Sequence, residues 1–163
     1  MMTMVSHHTI HAKSVRTCMG RLKCIEREGD MQYETFVGQV QHHARLASPG
    51  EAVRAIHAVL QTLGERLYGD EANDLAAQLP REIGTYLCEI EDPSPFSLNE
   101  FFQRIAAREH VDYPAAVYHT RAVVTVLEQA VSPGEIADVR AQLPPEFAPL
   151  FEAGSEGQLP HHD

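Results

Sequence analysis

The sequence predicts an all-α fold: a helical bundle built from two pseudo-repeated units of three to four helices each. Three observations carry this expectation. Apolar residues recur at helical spacing along most of the chain, the chain matches itself at an offset of 64 residues, and no segment alternates as a half-buried strand would.

The first unit opens with Phe36, Val40 and Ala44, one face of a short helix. Ser48-Pro49-Gly50-Glu51 follows, with a cap residue, a proline in the first helical position and a glutamate placed to close a capping box. Behind it Val53, Ile56, Leu60, Leu63 and Leu67 form a stripe that Gly69-Asp70 breaks. Ala72, Leu75, Ala76 and Leu79 mark a third helix ending before Pro80, and Ile83 and Leu87 mark a fourth. Glu91-Asp92-Pro93-Ser94-Pro95 reads as a linker, which places the units at residues 31–90 and 97–152 with 91–96 between them.

The second unit repeats the scheme. Ser97 and Glu100 precede Phe101, Phe102 and Ile105, and Asp112 takes the capping place of Ser48. Val117, Thr120, Val124, Leu127 and Val131 repeat the stripe, and the β-branched run Val123-Val124-Thr125-Val126 is read as a buried helical turn. Ser132-Pro133-Gly134-Glu135 starts another helix, with Ile136, Val139 and Leu143, and then Phe147, Leu150 and Phe151 follow. Between positions 48–87 and their counterparts 64 residues on there are 12 identities, and Ala77-Gln78-Leu79-Pro80 falls on Ala141-Gln142-Leu143-Pro144. Phe36 and Val40 meet Phe101 and Ile105 after a slip of one residue.

The ends differ from this body. All five methionines, both lysines, Cys18 and Cys24 lie at or before Met31. The segment before Met31 carries a net +2, and the rest of the chain −12. It has no apolar core and no small-residue cleavage site of a secretory signal. We expect residues 1–30 to be a disordered arm or an over-extended start, with translation beginning at Met31; Glu28-Gly29 would be encoded by a purine-rich stretch where a ribosome-binding site would sit. His7, His8, His11, Cys18 and Cys24 are metal-ligand types, but the cysteines are six apart and lack finger spacing. No metal site and no cofactor is expected. The polar residues 153–163, ending in His161-His162-Asp163, are read as a disordered tail.

Composition excludes whole classes of function. The 163 residues carry a net charge of −10, which argues against a nucleic-acid binder or a ligand of anionic membranes. No apolar run is long enough to span a bilayer. Without a signal the protein is expected in the cytoplasm, and its three cysteines as thiols; Cys88, the only one inside the repeated region, reads as a packed thiol.

The AQLP blocks carry a specific resemblance. Met31-Gln32-Tyr33-Glu34-Thr35-Phe36, the run from Gly69 to Pro80, and Ser132 to Pro144 followed by Glu146-Phe147 resemble the bacterial domain-of-unknown-function family 2267, over about residues 31–152. The resemblance implies a compact helical fold with two related halves. It implies no activity and transfers no catalytic residues. Relatives often carry a tryptophan after the proline of the first block, where this chain has Tyr86.

Several residue groups could carry chemistry. Glu71/Asp74 and Glu135/Asp138 each place two carboxylates on one helix face, able to share a cation or a proton, and each also sits in a first turn where negative charge complements the helix dipole. Glu109, His110 and Asp112 form the densest polar group, in a loop between helices, and are the candidates for an enzymatic reading. His42-His43 end a helix, and His57 borders the apolar stripe. Phosphate loops, dinucleotide fingerprints and nucleophile elbows are absent from the sequence.

The leading expectation is a non-enzymatic interaction module whose acidic surface suits a basic protein partner, with a second copy of the chain as one partner to consider. The second is a small anionic-ligand site in a cleft between the units, lined by Arg54, Arg121, Tyr86 and Tyr118. The third is an enzyme using Glu109, His110 and Asp112.

Overall fold

The computed structural model describes residues 31–152. The readings made above of residues 1–30, with their histidine and cysteine cluster, and of the tail from 153 on lie outside these described residues. The chain runs through α1 (Tyr33–Ala44), α2 (Pro49–Gly64), α3 (Glu71–Ala76), α4 (Arg81–Leu87), α5 (Leu98–Glu109), α6 (Tyr113–Ala130) and α7 (Pro133–Gln142). A 3-10 turn (Pro145–Phe147) then leads into α8 (Ala148–Glu152). Every regular element among the described residues is helical, as the apolar spacing predicts.

Local chemistry explains where the helices begin. A helix leaves its first N–H groups without partners inside the helix, and a short oxygen-bearing side chain can accept one of them. Ser48 accepts the Glu51 N–H at 3.3 Å and opens α2. Ser97 accepts that of Glu100 at 3.1 Å and opens α5. Asp112 takes the Ala115 N–H at 3.0 Å for α6, and Ser132 the Glu135 N–H at 3.2 Å for α7. Each is a cap named from the sequence. Helices α1 and α5 stop in the same way: Arg45 and His110 follow them in the left-handed region, at φ 56° and 63°. Their N–H groups turn back onto carbonyls of the last turn.

The long helices α2 and α6 pack against each other at the centre. α1 lies against both, and so does α5. α4 covers α2, α8 covers α6, and α3 meets α7. The stripe residues Ile56, Leu60, Val124 and Leu127 are buried here with Phe36 and Phe101. Phe101 packs edge-on against Phe102 and Phe147, at centroid distances of 5.9 and 5.4 Å. Gly64 lets the backbones of α2 and α4 touch, since a Cβ built there would lie 2.2 Å from the Leu87 carbonyl oxygen.

The segment 91–96 is tied down more firmly than its linker-like composition suggests. The Ser94 N–H donates to the Glu65 carbonyl at 2.8 Å, and Arg66 Nε donates to the Phe96 carbonyl at 3.1 Å. The Arg104 guanidinium lies 4.1 Å from the Phe96 ring centroid. Beneath this strap Glu65 is buried and accepts from both Arg104 and Arg108, while Arg108 also donates to the Thr62 hydroxyl at 2.8 Å. A buried carboxylate persists because two guanidinium groups compensate it. Cys88 is half-buried just after α4, with its Sγ 3.4 Å from Asn73 Oδ1, and Cys18 and Cys24 lie outside the described residues.

Candidate functional site

The two Glu-x-x-Asp pairs, 64 residues apart in sequence, meet in space. Glu71 and Asp74 sit in the first turn of α3 and Glu135 in that of α7, Asp138 lies one turn further on, and α3 packs on α7. Carboxylate oxygens of Glu71, Glu135 and Asp138 all lie within 4.8 Å of one another. Asp70, Asp74 and Asp138 are exposed around the half-buried Glu71 and Glu135.

The AQLP glutamines fix this arrangement from both sides. The Gln78 side chain accepts the Ser132 N–H at 2.8 Å and donates to Glu135 Oε1 at 3.3 Å. Gln142 accepts the Tyr68 N–H at 2.7 Å and donates to the Tyr68 carbonyl at 3.3 Å. Tyr68 and Ser132 occupy matching places in the 64-residue register, so the two glutamines make corresponding reaches into opposite loops. Tyr68 itself is the one large apolar side chain exposed among the described residues.

Electrostatics at this contact oppose full ionisation. Burial, the neighbouring Glu71 charge and the hydrogen bond with Glu71 push the Glu135 carboxyl up to about 7, and Asp74 and Asp138 add to the effect. Burial also raises Glu71, as do Asp138 and Asp74; the hydrogen bond from Glu135 works in the other direction. Asp74 is raised by burial and by the charges of Asp70 and Asp138. Glu135 is therefore the carboxyl of this cluster that holds a proton to the highest pH. Oε2 of each glutamate is buried and receives no donor from the described residues. Glu71, Glu135 and Asp138 are the residues that could hold a hard divalent cation, which would compete with this proton for the same oxygens.

The other candidates separate. Arg54 is exposed on α2. Tyr86, on α4, stacks on His57 of α2 at 4.3 Å, and His57 pairs with Glu89 at 2.8 Å. Tyr118, on α6, donates its hydroxyl to the His43 carbonyl at 3.1 Å. Arg121, one turn further along α6, is buried, and that burial lowers its pKa. Tyr86 thus belongs to the α2–α4 face, and Tyr118 to the α6 face that meets α1.

Glu109, His110 and Asp112 take three different roles. Glu109 is buried and contacts His119 of α6. His110 is exposed in the left-handed position that ends α5, and Asp112 caps α6. Of this expected grouping, Glu109 is thus buried while His110 and Asp112 are exposed. The Glu109–His119 contact escaped sequence reasoning because its members lie on different helices. So did the Glu65 network. The cross-links made by Gln78 and Gln142 did have a signal, the repeated AQLP block.

No helix among the described residues is long and apolar enough to cross a membrane. No curated protein matches the chain. Residues 33–150 match the family model described as an uncharacterized conserved protein, DUF2267. With most of its length covered by that match, the chain belongs to the DUF2267 family.

Proposed function

We propose that this chain is an interaction module whose α3–α7 face receives a lysine- or arginine-rich segment of a protein partner. The observation that carries the reading is the distribution of charge. Among the described residues Arg66 and Arg121 are buried, and Arg104 and Arg108 turn onto Glu65. The exposed arginines are Arg45, Arg54, Arg81 and Arg140, against ten exposed acidic residues. Cations are drawn inward and carboxylates left outward.

Within that surface the α3–α7 face is the most pronounced place. Asp70, Asp74 and Asp138 surround two further carboxyls, and Tyr68 adds an exposed ring two residues before Asp70. A guanidinium can stack on such a ring while pairing with the neighbouring carboxylates. The same charge disfavours pairing of two copies through this face. The reciprocal packing of α1 and α5 against α2 and α6 supports reading the scaffold as two related units that bring their acidic first turns together.

Calorimetry with an arginine-rich peptide tests the reading, with a citrulline peptide of the same length as control. We expect binding of the arginine peptide that weakens as salt is added, and at least a tenfold loss in the triple variant Asp70→Asn, Asp74→Asn, Asp138→Asn. Equal binding by that variant, or by the citrulline peptide, would overturn the assignment.

A further inference from the structure

The tripeptide Gln-Leu-Pro occurs three times in the chain, at 78–80, 142–144 and 158–160. In the first two copies each residue has a defined task. The glutamine crosses to the backbone of an opposite loop, at Ser132 or at Tyr68. The leucine, Leu79 or Leu143, is buried. The proline, Pro80 or Pro144, stands just before the next helical turn. The leucine of the third copy, Leu159, comes seven residues after Glu152, the end of α8.

Where α7 gives way to α8 the surface holds a cavity of about 90 Å³. Leu143, Pro144, Pro145, Phe147 and Phe151 form apolar walls, and the exposed Arg140 also lines it. An apolar cavity of about 150 Å³ accepts benzene, so this smaller one suits a branched aliphatic side chain better than an aromatic ring. We propose that the chain's own tail docks here, with Leu159 filling the cavity and residues 156–160 lying across the end of α7 and α8.

Reach and charge both favour this occupant. Phe151 stands one position before the end of α8, so the tail leaves the helix beside the cavity. Seven residues span up to about 25 Å, and Gly154, Ser155 and Gly157 are residue types that form the turn a return needs. Residues 153–163 carry Glu156 and Asp163 and no lysine or arginine. Such a segment is repelled by the α3–α7 face, where Asp70, Asp74 and Asp138 are exposed, and attracted by Arg140 at the cavity. A tethered segment also acts at an effective concentration of about a millimolar, so at micromolar protein the chain's own tail wins over that of a second copy. The docking does not rest on the proposed partner, because it uses a different face.

Leucine-methyl NMR of the full 163-residue chain tests it, with Leu159→Ala identifying the Leu159 signals by their loss. The Leu159 methyls should be displaced by the neighbouring rings and show cross-relaxation with ring protons of Phe147 and Phe151. Methyl signals at random-coil positions without such cross-relaxation would overturn the proposal. So would contacts seen only between labelled and unlabelled chains in a mixed sample, because a second copy would then fill the cavity. Hydrogen–deuterium exchange gives a second reading: in Leu159→Ala residues 143–152 should exchange about fivefold faster while α2 and α6 are unchanged. Equal exchange of 143–152 in wild type and variant would count against the docking. The methyl contacts are read in the wild-type chain, so they decide even where the variant loses protection throughout.

Discussion

The side-chain oxygen of Gln78 accepts the backbone N–H of Ser132 at 2.8 Å, and Ser132 in turn caps the helix whose first turn carries Glu135. One residue of the first AQLP block thus sets both the position and the surroundings of a carboxyl group 57 positions away. Gln142 acts in the corresponding way on Tyr68.

Removing either glutamine should loosen the contact without dissolving the core. Gln78→Ala and Gln142→Ala each lose two hydrogen bonds, and we expect a stability loss of about 1 kcal/mol for each in urea denaturation. Gln103→Ala, at an exposed position of α5, should change stability by less than about 0.5 kcal/mol.

Glycine positions separate a close approach from open helix surface. Gly64→Ala would drive a methyl group into the Leu87 backbone and should cost about 3 kcal/mol. Gly38 is exposed in α1 with nothing within 4 Å of a built Cβ, so Gly38→Ala should stabilise by about 0.5–1 kcal/mol. Thermal melting of the two variants should move in opposite directions.

The buried Glu65 gives a charge test. Glu65→Gln leaves Arg104 and Arg108 without their shared carboxylate. Breaking a fully buried pair costs about 3–5 kcal/mol; these arginines are about a third exposed, so we expect about 2 kcal/mol. The strap at Phe96 should also exchange its amides faster in this variant.

Stability should depend on pH with a definite sign. Glu71, Asp74, Glu128 and Glu135 are all raised in the folded chain, mainly by burial. The folded state therefore binds more protons than the unfolded state between the ordinary carboxylate range and about 7, the Glu135 value. Their contribution to stability is greatest at the acid end of this window and declines as pH rises through it. Urea midpoints measured from pH 5 to pH 8 should fall for the wild type. The Glu71→Gln, Glu135→Gln double variant should show a shallower fall.

How much was legible in the sequence followed the range of each interaction. Capping by Ser48, Ser97, Asp112 and Ser132 depends on residues three positions apart, and the sequence was enough to locate it. The apolar stripes were legible for the same reason. The AQLP repeat was visible as a pattern, but its role was not, because Gln78 and Gln142 act across 54 and 74 positions. Glu71 and Glu135 could be read only as separate first-turn carboxylates, since nothing local shows that α3 and α7 face each other. Glu65 follows the stripe as an ordinary surface residue would; its burial comes from α5 and from the strap at Phe96.

The Glu71–Glu135 contact is the feature on which the most depends, and carboxyl-carbon NMR of the glutamate side chains titrates it directly. The account predicts a Glu135 midpoint at about 7, with Glu71 also above its ordinary range and responding as Glu135 loses its proton. Two independent titrations near 4.5, the unperturbed glutamate value, would contradict it.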